Sequence, residues 1–329
     1  MDIMYYSSMS AWSIAQANIT SVSVLAFIFG FIASRAKSNL KLPDSVYQFI
    51  SIYLLFGIGL KGGHSLKSVG FTQILTPGLV TLLCGVVIPV LAFYSLRLIK
   101  ALSDIDRGSL AAHYGSTSLV TFSAALLFME SNSIFVEGYA PALLTLLEIP
   151  GLIIGIFLAS SSVSHPDVKW ATTLREVVLG KTVLILLGGM FIGFITSQSG
   201  YEKVQPFFIE LLAGFLALFL LHLGYSAGSN FHEVKKVGLP LGIFALVFPI
   251  IGGLIGVGAA SAIGLSIGGA TVLGVLCASA SYIAAPAAVS IALPQANLSV
   301  ALSASVGITF PFNLIIGIPL YYQFAEIFG

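Results

Sequence analysis

Apolar residues fill this chain in long blocks separated by short polar segments. A helix needs about 20 apolar residues to cross the hydrocarbon of a bilayer. On that measure ten blocks qualify: 19–35, 45–60, 74–98, 108–129, 139–160, 177–197, 207–227, 237–262, 269–292 and 298–328. The second is short. The last holds Pro311 and Pro319, which remove backbone donors and favour a kink or a break. The pattern predicts an all-α polytopic membrane protein of ten transmembrane helices. Residues 1–18 read as an interfacial segment whose tyrosines and tryptophan sit at the headgroups. Residues 162–176 read as the one long linker.

The blocks repeat. The string LIIGI occurs at 152–156 and at 314–318, each time shortly after a proline. Its surroundings recur in the same order. GIGLKGGHSLKSVG at 57–70 faces HLGYSAGSNFHEVKKVG at 222–238, and AAHYGSTSLVTFSAAL at 111–126 faces LCASASYIAAPAAVSI at 276–291. Gly59 pairs with Gly224, Ser116 with Ser279, Ser118 with Ser281 and Pro150 with Pro311. The predicted units are 19–161 and 177–329. Each holds five spans, an odd number, so the second copy lies inverted in the membrane. Inverted repeats about an in-plane axis are an architecture of secondary transporters.

Charge sets the orientation. Only 8% of residues are charged against 57% hydrophobic, and no charge falls between 237 and 325. With the N-terminus outside, eleven of the 14 Lys and Arg lie in inner loops, including Arg35, Arg97, Arg107, Arg175, Lys235 and Lys236. Three, Lys61, Lys67 and Lys203, lie in outer ones. That bias predicts two extracytoplasmic termini. The net charge of +1 points to no nucleic-acid partner. Cys84 and Cys277 lie inside apolar blocks and read as packing residues, not a disulfide or a metal pair.

In such folds the cargo site lies where paired helices break at mid-membrane. The fourth block carries Gly115, Ser116, Thr117 and Ser118, and the ninth carries Ser279, Ala280, Ser281 and Tyr282 ahead of Pro286. Gly115 and Pro286 are helix breakers, and small hydroxyl residues satisfy the freed backbone groups. A helix restarting there points its N-terminal N–H groups into the break, which suits a small oxyanion. No Lys or Arg occurs at 108–129 or from 237 onward, so that anion lacks a full countercharge. A co-transported cation supplies it, and Na⁺ suits a site of hydroxyls and carbonyls. Glu148 is a carboxylate inside an apolar block, and Thr309 and Asn313 offer oxygens beside Pro311. These three are the cation-site candidates. His113 precedes Ser116 by one turn, but no third member of a triad and no G-x-S-x-G elbow accompanies them. The chain reads as a transporter and not an enzyme.

GIGLKGG at 57–63, GSTS at 115–118, LEIPGL at 147–152, ASASYIAAPAA at 278–288, LPQAN at 293–297 and GITFPFN at 307–313 resemble the bacterial sodium-dependent bicarbonate transporter family. The resemblance covers nearly the whole chain. It implies two inverted five-span repeats, a gate or scaffold domain and a moving core domain with broken helices. It implies a homotrimer in the cytoplasmic membrane and sodium-coupled bicarbonate uptake by an elevator-like motion. Ser116, Thr117, Ser279 and Ser281 are then the bicarbonate contacts, and a PII-like signalling protein is a cytoplasmic regulator. Some members carry Asp where this chain has Tyr282, and a longer central linker. The alternative is a Na⁺- or H⁺-coupled carrier of another small anion, such as a short carboxylate.

Overall fold

The computed structural model describes residues 16–162, 168–229 and 238–329, and every regular element among them is helical. In chain order these are α1 (Val22–Arg35), α2 (Asp44–Ser65), α3 (Phe71–Leu96), α4 (Asp104–Gly115), α5 (Leu119–Ser131), α6 (Ala140–Ser161) and α7 (Trp170–Leu179). There follow α8 (Lys181–Ile195), α9 (Gln198–Ser229), α10 (Leu239–Ala262), α11 (Ile267–Ala278), α12 (Ala284–Ala292) and α13 (Leu298–Phe328). Six of the described helices are long and apolar enough to cross a membrane. A seventh span results if α7 and α8, bent by 43° across Gly180, count as one. Of the remaining predicted blocks, 19–35 forms the 14-residue α1, while 108–129 and 269–292 are each split into two shorter helices.

Most of the expected interfacial segment, and Lys235 and Lys236, lie outside the described residues. Asn18 is described: its amide donates to the carbonyls of Leu314 and Ile315 at 2.9 and 3.0 Å. The linker expected over 162–176 is helical from Trp170, because Trp170 and Val177 pack with Leu152, Ile156, Ala288 and Val289.

Large apolar side chains on the outer faces stay exposed, among them Phe29, Leu79, Leu83, Phe191 and Ile243, as a lipid-facing surface requires. Between helices, small residues let backbones approach. Gly59 of α2 lies against the backbone of Leu186 and Gly189 on α8, and Gly224 of α9 lies against the Phe27 backbone on α1. Two sets of helices result: α1 packs on α9 and α2 on α8, while α3, α4 and α6 pack together, as do α10, α11 and α13. Prolines sit inside α3, α6 and α10, and π-helical turns follow at Pro206–Glu210 in α9 and at Ser305–Thr309 and Asn313–Gly317 in α13. A π turn absorbs the missing donor of a nearby proline. Cys84 of α3 and Cys277 of α11 are free and buried.

Candidate functional site

Ser116 turns the chain out of α4 with φ −87° and ψ −176°, and α5 begins after Ser118. Ser279 turns it out of α11 with φ −85° and ψ 162°, and α12 begins after Ile283. Both half-helices before the break are 12 residues long, start from a serine N-cap (Ser103 and Ser266) and stop at a serine. The N-cap hydroxyls accept the N–H of Asp106 and of Gly269, which satisfies donors that no helix can satisfy internally.

The two breaks are bonded to each other. Ser279 Oγ accepts the Ser118 N–H at 2.9 Å and donates to the Leu276 carbonyl at 3.0 Å. Its one proton is then committed, so the Thr117 hydroxyl, 3.0 Å away, donates to it. The Ser281 N–H donates to the His113 carbonyl at 2.7 Å, and Ser281 Oγ accepts the Ala285 N–H at 3.2 Å. Ser118 Oγ caps α5 by accepting the Thr121 N–H at 3.2 Å. Ser116 Oγ is buried with no partner, Ala280 is buried, and Gly115 lies against Pro89 of α3. His113 accompanies Ser116 but does not bond to it: its Nδ1–H donates to the Ser109 carbonyl at 2.7 Å.

Thr117 and Ser118 from the first break, and Ser281 and Tyr282 from the second, enclose one cavity of about 10 Å³ together with Glu148 of α6 and Thr182 of α8. Such a space admits one water-sized particle. Glu148 is 1% exposed, and its Oε2 has no hydrogen-bond partner. None of the ion pairs among the described residues includes it. Tyr282 packs its ring edge-on to Phe310 at 5.6 Å, and its hydroxyl turns towards Ser118 without a bond of normal length. The first turns of three helices face the same space: α5 at Leu119, α12 at Ala284 and α8 at Thr182. First-turn N–H groups lack partners within their own helix, and each N-terminus carries partial positive charge. Two larger cavities, of about 590 and 520 Å³, contain none of the predicted site residues.

Thus Glu148 joins the hydroxyls assigned to the anion rather than Thr309 and Asn313. Thr309 Oγ1 donates to the Ala245 carbonyl at 2.7 Å and therefore accepts from the Tyr114 hydroxyl, also at 2.7 Å. Asn313 Nδ2 donates to the Ala278 carbonyl at 2.8 Å, and its Oδ1 accepts from the Tyr321 hydroxyl at 2.7 Å. Both residues brace the helices behind the breaks. Asn313→Leu leaves two buried polar groups unpaired, at about 1–3 kcal/mol each. It is expected to lower the thermal unfolding midpoint of the purified protein by more than Tyr321→Phe, which removes one bond. Equal midpoints for Asn313→Leu and wild type would refute the bracing role. Sequence reading missed Thr182, since a threonine at the start of an apolar block carries no local signal and only packing brings it to the breaks.

A family described as the Na⁺-dependent bicarbonate transporter superfamily matches residues 23–326. No curated protein matches the chain.

Proposed function

The chain belongs to the Na⁺-dependent bicarbonate transporter superfamily, and on that premise we propose that it takes up bicarbonate across the bacterial cytoplasmic membrane, driven by sodium. The observation that carries this is the cavity between two mutually bonded helix breaks, lined by hydroxyls, by first-turn residues of three helices and by a carboxylate with an unpartnered oxygen. Helix N-termini suit the anion. Glu148, with the hydroxyls of Ser118 and Ser281, suits Na⁺. The remaining site residues, Gly115, Ser116, Thr117, Ser279, Ala280 and Tyr282, shape and hold the breaks. Thr309 and Asn313 act from behind them.

The ten spans form two inverted repeats in this reading. Equal half-helix lengths with serines at both ends support it, as do Gly59 and Gly224 at corresponding helix contacts. The gate consists of α1, α2, α8 and α9, and the core of α3–α6 and α10–α13. The cavity touches the first turn of α8, and the bias of basic residues supports a cytoplasmic end there; in this reading the cargo site is at the inner end of an elevator-like excursion. At about 10 Å³ it has less room than a bicarbonate ion needs. A homotrimer, extracytoplasmic termini and a PII-like cytoplasmic regulator belong to the same proposal.

The test is uptake of labelled bicarbonate into proteoliposomes. An inward Na⁺ gradient is expected to raise the initial rate about tenfold or more over choline, since each tenfold in Na⁺ concentration is worth about 1.4 kcal/mol to a carrier that moves Na⁺ with the anion. Equal rates in the two buffers would reject sodium coupling. Inhibition by acetate or formate with no bicarbonate accumulation would move the assignment to a short carboxylate.

A further inference from the structure

Glu148 presents an unusual combination. It is buried, it has an unpaired oxygen, and no cationic side chain among the described residues lines its cavity. Yet first-turn residues of α5, α8 and α12 line that cavity. A carboxylate and bicarbonate share the same planar CO₂⁻ group, so whatever attracts one attracts the other. The space left beside Glu148 admits a single water-sized particle and not a second oxyanion. Two anions side by side in a low-dielectric site also repel strongly.

We propose that Glu148 is a built-in competitor of bicarbonate: in the empty carrier its carboxylate stands in the space the anion needs, and Na⁺ frees that space by taking the carboxylate as its own ligand. This rests on the functional reading above and supplies the reason for its coupling. Without Na⁺ the anion position is filled from within. With Na⁺ bound, Glu148 is neutralised and drawn towards the cation, and the helix N-termini pass to bicarbonate. A carboxylate that served only as a Na⁺ ligand differs in one respect, since its removal would abolish sodium-dependent binding and leave nothing in its place.

The experiment measures bicarbonate binding to the full-length protein in detergent by titration calorimetry, once in sodium buffer and once in choline buffer. Wild type is expected to bind about 50-fold more weakly in choline. Glu148→Gln, with the same shape and no charge, is expected to bind within about threefold of the wild-type sodium value in both buffers. Glu148→Met carries the same expectation should the amide variant fold poorly. A variant that keeps the sodium requirement, or loses bicarbonate in both buffers, overturns the proposal. So does a wild type that binds equally well in choline. Failure of wild type to bind bicarbonate even in sodium overturns the proposed substrate, and this inference with it.

Discussion

Gly151→Val is expected to abolish transport. A Cβ at this position would overlap the Gly115 carbonyl and stand 2.7 Å from the Ser116 nitrogen. The backbone of α6 therefore rests directly on the first helix break. The break cannot retreat, because Gly115 is held from the other side by Pro89 of α3, whose Cβ is 2.5 Å from where a Cβ on Gly115 would be. Overpacking of this kind costs about 1–3 kcal/mol, and more where backbone is the obstacle. The relief is a displacement of α6, and Glu148 lies on that helix less than one turn away. The site then loses its carboxylate position even in molecules that fold. Gly151→Ala is expected to show the same defect in weaker form. Gly188→Val is the control, since nothing stands within 4 Å of a Cβ there. Initial uptake rates, normalised to protein recovered as a monodisperse peak, decide the matter; wild-type transport by Gly151→Val would show that the contact is not functional.

The sequence exposed the breaks because their chemistry is local. Gly115 and a run of hydroxyls interrupt one apolar block, and Ser279, Ser281 and Pro286 interrupt another, so hydropathy and breaker residues together mark both places. The repeated LIIGI was a less specific clue. In the first copy Gly155 receives the backbone of Ala112 from α4, whereas the second copy forms a π turn beside Tyr321. One string thus serves two packings. The composition of the cavity was not legible, because it depends on which helix faces which. Glu148 was conspicuous as a charge in an apolar block, but its neighbours were not. Thr309 and Asn313 are equally buried and polar, yet each has its hydrogen-bonding capacity directed to a carbonyl and a tyrosine. The helix inside the predicted linker is not legible for a related reason: Trp170 and Val177 find their apolar partners on the preceding α6 and on the distant α12.

Among the serines of the two breaks, Ser279→Ala is expected to do the most damage, with uptake falling on the order of 100-fold if the site loses about 3 kcal/mol. The reason is how its hydroxyl is used. Ser279 Oγ takes the Ser118 N–H and the Thr117 hydroxyl as donors and gives its own proton to Leu276. Alanine leaves the first two without an acceptor, in a place where Ser118 and Thr117 are both almost fully buried. Unpaired buried donors cost about 1–3 kcal/mol each. Ser118 is also the N-cap of α5, so its backbone direction sets where that helix N-terminus points. Losing the clasp leaves the Ser281–His113 backbone bond as the remaining link between the breaks and frees Thr117 and Ser118 to shift. Ser116→Ala and Ser281→Ala should reduce uptake less, since Ser116 Oγ has no protein partner and Ser281 keeps its backbone bond to His113 without its side chain. Ser290→Ala, exposed on α12 and bonded only to its own helix, is the neutral reference. A clasp predicts a specific order, with Ser279→Ala below both other break variants in uptake and in thermal stability. Direct ligation of bicarbonate by Ser279 alone predicts lost uptake at unchanged stability, so the two measurements taken together discriminate between the roles.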